Sequence, residues 1–92
     1  SSLDLTGTTS FEEVLGKTAQ WLEDRPVDGW LLGRGWDQND WKVKRFPDNR
    51  ALNRIAPRTP VCLRRIDGHA ALANDAALSA AGIGRRRIRL IQ

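Results

Sequence analysis

Two acidic side chains and the single histidine follow the two short apolar runs of the sequence, and these side chains are the first candidates for chemistry. Asp37 comes directly after residues 30–36, and Asp67 and His69 come after residues 61–66. If both runs are parallel strands, their carboxyl ends meet at one edge of a sheet, where ligands gather in α/β folds. The spacing therefore predicts a polar pocket at this edge, with Trp36 as an apolar wall.

Asp37 and His69 also have a purely structural interpretation. An aspartate after a strand commonly caps a turn through its carboxylate. A lone histidine is more often a hydrogen-bonded part of the scaffold than a catalyst. The residues alone leave both interpretations open.

The sequence supplies too few side chains for a metal site or a catalytic set of its own. A zinc site needs several His, Cys or carboxylate groups that converge on one ion, but the chain has one His and one Cys. It has no H-x-H or H-E-x-x-H pattern, and it has no glycine-rich phosphate loop ending in lysine. Cys62 lies in an apolar run, which predicts a buried, unreactive thiol. We expect no catalytic residue, metal ligand or cofactor in this chain.

Helical signals lie on both sides of the first apolar run. Ser10 and Glu13 have the spacing of a capping box, and the helix that follows is predicted to end near Asp24. Its apolar stripe recurs at three- and four-residue steps: Phe11, Val14, Leu15, Thr18, Trp21 and Leu22. Asp48 can cap a second, short helix that carries Leu52 and Ile55 and stops before Pro57.

The two apolar runs, residues 30–36 and 61–66, predict strands. The alanine-rich stretch from about His69 to Ala81 favours a third helix, with Asn74 or Asp75 as a possible internal start. The order is helix, strand, helix, strand, helix, and residues 37–60 are long enough for a helical crossover. We therefore predict an α/β fold with parallel strands.

Size and charge limit the other possibilities. The 92 residues make one domain at most, no apolar run is long enough to span a membrane, and a cytoplasmic protein is expected. The net charge is +4, but residues 1–41 hold eight acidic and three basic side chains, whereas residues 42–92 hold three acidic and twelve basic ones. A basic stretch containing Arg85, Arg86, Arg87 and Arg89 could bind nucleic acid through phosphates. The alternative interpretation is a solvated basic end.

An ordered series of motifs resembles amidohydrolase family 3, which includes YtcJ-like proteins and relatives of N-substituted formamide deformylase. The series covers residues 10–83 and consists of residues 30–37 (WLLGRGWD), Phe46-Pro47, Leu52 before Ala56-Pro57, residues 60–70 (PVCLRRIDGHA), Asn74, Ala77-Leu78 and residues 81–83 (AGI). Each motif is weak alone, but their order is specific.

The resemblance implies a TIM-type barrel that hydrolyses C–N bonds in amides with a bound divalent metal, often zinc. A metal-bound water would attack the carbonyl carbon. The family's metal ligands would precede and follow this chain, so the resemblance implies an internal fragment, one partial domain that is inactive alone. It would supply helix 1, strand 2, helix 2, strand 3 and helix 3 of the barrel. Trp36, Asp37, Asp67, His69 and Asn74 would shape the substrate pocket.

The resemblance fails from Gly84 onward, where the family continues with a segment like T-x-D-T-P-D-P and this chain has a basic tail, residues 84–92. A change of reading frame would explain the difference, and the nucleotide sequence tests it, since a displaced frame must restore the family pattern. A segment without its barrel neighbours exposes strand edges. We therefore also expect a homo-oligomer.

Overall fold

The computed structural model describes residues 2–25 and 28–82. They form a mixed α/β unit with a four-stranded sheet in the order β1-β2-β3-β4. The elements are β1 (Leu3–Asp4), α1 (Phe11–Asp24), β2 (Leu31–Trp36), a 3-10 turn (Gln38–Asp40), α2 (Arg50–Ile55), β3 (Val61–Arg65), β4 (Ala71–Ala73) and α3 (Asp75–Ala80). Among the described residues, no helix combines the length and apolar character that crossing a bilayer requires.

The two strands that the sequence predicts lie side by side in the centre of the sheet. β2 and β3 pair in parallel from Leu31 opposite Val61 to Trp36 opposite Arg65, with an irregularity between Arg34 and Trp36. The very short β1 adds to the other side of β2, also in parallel. The expected alternation of helices and strands therefore holds from α1 to β3.

The prediction of a helix from His69 is wrong for its first residues. Residues 71–73 form β4, which runs antiparallel to β3 and makes the sheet mixed. Alanine favours helix, but all three β4 residues are buried against the sheet, and this packing outweighs intrinsic propensity. The helix begins only at Asp75, with Asn74 as its N-cap. One of the two internal starts considered is thus observed.

Helix α1 has the bounds that its capping signal predicts. The backbone N–H of Glu13 donates to Ser10 Oγ at 3.0 Å, and the Glu13 carboxylate accepts from the backbone N–H of Thr9 at 2.7 Å. The reciprocal bond thus reaches one residue further back than in the usual capping box. The helix ends at Asp24, as predicted.

The prediction that Asp48 is the N-cap of α2 is wrong by one residue. The Asp48 carboxylate accepts from the backbone N–H of Arg50 at 3.0 Å and pairs with the Arg50 guanidinium at 2.8 Å. The N-cap position itself is Asn49, whose side chain makes no capping bond. Helix α2 ends at Ile55, two residues before Pro57, as expected.

One face of the sheet carries the main core, and much of the other face is exposed. The buried cluster joins the sheet to α1, α2 and the loop after β2, and it contains Leu3, Leu5, Val14, Leu31, Trp36, Trp41, Leu52, Ala56, Val61, Leu63 and Leu72. On the opposite face Leu32, Arg34 and Arg64 are exposed, whereas Cys62 is half-buried. Helix α3 forms a small separate cluster with Ala73.

Gly35 lets the chain after β1 approach β2 closely. Its φ of +100° lies in the left-handed region, and a Cβ at this position would lie 2.5 Å from Thr6 Oγ1 and 3.0 Å from the Thr6 backbone nitrogen. No L side chain fits there without displacing backbone. Gly35 therefore fixes the join between β1 and β2.

We predict that Gly35→Ala lowers the free energy of unfolding by about 1–3 kcal/mol, because the new Cβ meets both strain and backbone atoms. The matched control is Gly16→Ala on the exposed side of α1, where a Cβ meets nothing within 4 Å. That change should stabilise the chain by about 0.5–1 kcal/mol through helix propensity. Urea denaturation measures the change in the free energy of unfolding for each variant, and a decrease in both would contradict this account.

Candidate functional site

The carboxyl ends of β2 and β3 meet at one edge of the sheet, as the sequence predicts for parallel strands. The backbone N–H of Ile66 donates to the Trp36 carbonyl at 2.8 Å, and Trp36 lies opposite Arg65 in the register. Residues 36–37 and 65–69 therefore lie beside each other. We call these two segments the carboxyl edge.

Trp36 supports the carboxyl edge from inside the core. Its side chain is 1% exposed, and its indole N–H donates to the Leu63 carbonyl at 2.7 Å. The ring stacks on Trp41 with 5.7 Å between centroids and meets Phe46 edge-on at 5.4 Å. In the described residues, the Trp36 ring fixes the end of β2 against β3 and presents no open wall.

Asp37 caps the turn that follows β2. Its Oδ1 accepts from the backbone N–H of Asn39 at 2.9 Å and starts the 3-10 turn Gln38–Asp40. Asp37 is half-buried. Hydrogen bonding with Asp67 is the main cause that raises the pKa of the nearby Arg65 guanidinium, and the charge of Asp37 adds to it. The structural role considered for Asp37 is thus present, and one carboxylate oxygen makes no capping bond.

Asp67 ties together the turn that follows β3. Its carboxylate pairs with Arg65 at 2.9 Å and accepts from the backbone N–H of His69 at 2.9 Å. The Arg65 hydrogen bond is the largest cause that lowers the pKa of Asp67, and the His69 N–H is the next. Asp67 is therefore held as a carboxylate at the carboxyl edge.

His69 lies beside Asp67 with an exposed side chain. Its backbone, not its ring, makes the bond to Asp67, and in residues 2–25 and 28–82 no hydrogen bond to the ring is found. The imidazole can therefore contact a ligand at the edge.

Asn74 lies at the opposite end of the sheet. The β3–β4 hairpin places His69 at the carboxyl end of β3 but Asn74 beside Val61, the first residue of β3. The structure thus brings Trp36, Asp37, Asp67 and His69 to one edge and separates Asn74 from them.

The Asn74 side chain is completely buried and fully engaged. Its Oδ1 accepts from the backbone N–H groups of Val61 and Ala77, both at 2.9 Å. Its Nδ2 donates to the carbonyls of Ala56 at 2.9 Å and Thr59 at 2.8 Å. One amide therefore joins the end of α2, the start of β3 and the start of α3.

Three arginines at or beside the carboxyl edge were not predicted from the sequence as site residues. Arg34, Arg64 and Arg65 line a depression of about 250 Å³ together with Gly35 and residues 66–68. No local motif marks the pair Arg34 and Arg64, because they become neighbours only through the register that places Leu31 opposite Val61.

A second groove, of about 520 Å³, lies between the start of α1 and the loop after the 3-10 turn. Phe11, Trp41, Val43 and Phe46 form its apolar part, and Lys42 and Arg45 line it as well. The Trp41 indole nitrogen is buried without a hydrogen-bond partner in the described part of the chain. None of the predicted pocket residues lines this groove.

The described residues hold no group of three or more His, Cys, Asp or Glu side chains that could bind a metal ion. Cys62 is half-buried, and burial raises the pKa of its thiol, which keeps it protonated and a poor ligand. What the edge offers is hydrogen bonding and charge from two carboxylates, an imidazole and three guanidinium groups.

The sequence profile of the amidohydrolase family matches residues 1–89. The chain belongs to the amidohydrolase family. The match is longer than the motif resemblance over residues 10–83, and it includes part of the basic tail. Arg85, Arg86, Arg87 and Arg89 lie outside the described residues, so nucleic-acid binding by this stretch stays a prediction.

Two curated relatives match over 83 residues, which are 90% of this chain. The chain is 39% identical to the putative amidohydrolase YtcJ of Bacillus subtilis (strain 168) and 34% identical to protein LONG AFTER FAR-RED 3 of Arabidopsis thaliana. It spans only 16% and 14% of their lengths.

Two crystal structures also match 90% of the chain. They are uncharacterized metal-dependent hydrolases from Pyrococcus horikoshii OT3, with a TM-score of 0.72 and 29% identity, and from Pyrococcus furiosus, with a TM-score of 0.71 and 26% identity. The chain covers 15% and 16% of these proteins, respectively.

The Asn74 contacts generate a test. Asn74→Ala should lower the free energy of unfolding by about 2–4 kcal/mol, because it leaves buried amide and carbonyl groups without partners. The matched control is Asn39→Ala at an exposed position, where only the backbone is hydrogen-bonded; its effect should stay within about 0.5 kcal/mol. Urea denaturation measures both, and similar values for the two variants would refute this role.

Proposed function

We propose that this chain is one segment of the α/β barrel of a metal-dependent amidohydrolase that cleaves C–N bonds, and that it is inactive alone. The observation that carries the proposal is membership of the family together with TM-scores above 0.7 to metal-dependent hydrolases. The arrangement of α1 and α2 on one face of β2 and β3 supports it, because barrel helices cover the outer face of parallel strands.

In this proposal the exposed face of the sheet lines the barrel interior and the carboxyl edge lines the mouth of the substrate pocket. Active sites of such barrels lie at the carboxyl ends of the strands. Asp37, Asp67 and His69 would contact the substrate there. Trp36 and Asn74 would act as positioning residues, since the first holds the end of β2 and the second anchors the start of β3.

The divalent metal, zinc for example, would be held by segments of a longer protein. The residues of this chain do not fit a metal site, because the described part offers no cluster of ligands and its histidine stands alone at the edge. We therefore assign this segment the tasks of binding and orienting the substrate. A cytoplasmic location belongs to the same proposal, and the free thiol of Cys62 suits a reducing compartment.

The proposal predicts that the purified chain retains far less than one equivalent of zinc after dialysis and hydrolyses no amide. Metal analysis and an amide panel measure both properties. Stoichiometric zinc together with turnover would overturn the claim of inactivity alone.

A chimera tests whether this chain can replace the matching segment of a longer relative. The 83 matched residues of the Bacillus subtilis relative are replaced by those of this chain. The chimera should fold and retain as much divalent metal as the parent relative, and Asp37→Asn and His69→Ala should leave that metal content unchanged while weakening hydrolysis. A folded chimera without metal would contradict the assignment.

We also propose that the isolated chain self-associates through its strand edges. In the described residues, β1 and β4 each pair on one side only, and such edges can pair with another copy. Light scattering should give a mass at least twice the 10.3 kDa of one chain. A single species at the monomer mass would refute this prediction.

A further inference from the structure

The exposed face of the sheet carries a row of charged side chains in register. Asp4 lies opposite Arg34, and Arg34 lies opposite Arg64 on the next strand. Neighbouring strands are about 4.8 Å apart, so the two arginines stand side by side on this face. Both residues are exposed.

The two arginines differ from the other edge arginine in their partners. Arg65 has the carboxylate of Asp67 at 2.9 Å, whereas neither Arg34 nor Arg64 makes an ion pair within the described ranges. Hydrogen bonds from Thr6 are the main cause that lowers the pKa of Asp4, and the charge of Arg34 contributes at longer range. Asp4 Oδ1 accepts from the backbone N–H of Thr6 at 3.0 Å. Like charges directly opposite each other on a sheet are destabilising. The pair therefore favours a negative group between the two side chains.

A depression lies beside the pair. Its volume is about 250 Å³, and Arg34, Gly35, Arg64 and residues 65–68 line it. The Arg64 guanidinium extends over the turn after β3, where Nη2 lies 3.5 Å from the Gly68 carbonyl, at the limit of a hydrogen bond. Gly68 has no side chain, and a Cβ there would lie 3.5 Å from Arg64 Nη2, so the glycine leaves space beside this guanidinium for a group of a few atoms. The three guanidinium groups and the single Asp67 carboxylate give the lining a net positive charge.

We propose that Arg34 and Arg64 form a binding site for the oxyanion of a small molecule, a carboxylate or a phosphate group. Guanidinium groups bind such oxyanions through paired, charge-assisted hydrogen bonds. The anion also removes the repulsion between the two side chains. This inference does not depend on hydrolysis, because residues of this chain alone form the site. Anion binding to the isolated chain can therefore be measured without an activity assay.

The test is titration of the whole 92-residue chain with inorganic phosphate and, separately, with acetate, at constant ionic strength maintained with chloride. Backbone amide NMR shifts of Gly35 and Gly68 report the site. Saturable shifts are expected with at least one of the two anions, and which anion binds more tightly assigns the site to phosphate or carboxylate ligands. The absence of saturable shifts with both would overturn the proposal.

Variants separate this site from general attraction to a basic chain. Arg34→Gln and Arg64→Gln should each weaken binding about fivefold, the size expected for an exposed charged contact. Arg58→Gln, at an exposed position with no hydrogen bond or ion pair from its side chain to other described residues, should change binding by less than about 1.5-fold. Equal losses in all three variants would refute a specific site.

Two further measurements keep the result unambiguous. Replacement of Arg85, Arg86, Arg87 and Arg89 by Gln should leave the Gly35 and Gly68 shifts intact; their loss would assign the binding to the tail instead. In thermal unfolding, the bound anion should raise the Tm of the wild-type chain, since a ligand of the folded state stabilises it. The same anion should raise the Tm of Arg34→Gln and Arg64→Gln less, and an unchanged rise would count against the site.

Discussion

The buried amide of Asn74 is the contact on which the described structure depends most. Four backbone groups from three stretches of chain meet on this one side chain, at distances of 2.8–2.9 Å. A buried amide is costly unless all its hydrogen bonds are made, so the contact is satisfied in one arrangement of these stretches only. It fixes where β3 begins, and because strand pairing is periodic, it also fixes which residues of β3 reach the carboxyl edge. The neighbouring Asn49 and Asn53 extend the network by bonding to the Ala73 carbonyl and to the Asp75 amide, respectively.

The two ends of the sheet therefore have separate tasks. One end is closed by neutral amide side chains that are buried and hydrogen-bonded, and it sets the register. The other end is charged and solvent-exposed, and Asp37, Asp67 and Arg65 are held there by contacts within short turns. Trp36 anchors the charged end to the core, because its indole donates to the Leu63 carbonyl of β3 while its ring packs with Trp41 and Phe46.

The sequence predicted the elements whose signals are local. Helix α1 was predictable from Ser10, Glu13 and its apolar stripe, and β2 and β3 from short apolar runs with turn residues after them. Strand β4 was missed because its alanines favour helix and become a strand only through pairing with β3. The sequence alone did not indicate that Asn74 lies at the other end of the sheet from Asp67 and His69, since its position depends on that hairpin. The arginine pair was not selected, because register between strands distant in sequence is needed to see that Arg34 and Arg64 are neighbours.

The turn between β3 and β4 is separated from the Asn74 hydrogen bonds by the length of the hairpin. This turn closes on itself: Gly68 N–H donates to the Arg65 carbonyl at 2.9 Å, Arg65 N–H donates to the Ala70 carbonyl at 2.9 Å, and Asp67 bonds to residues on both sides. The Asn74 anchor, in contrast, is at the far end of the hairpin. An insertion or deletion between the two strands would therefore change the shape of the turn and leave the Asn74 hydrogen bonds in place.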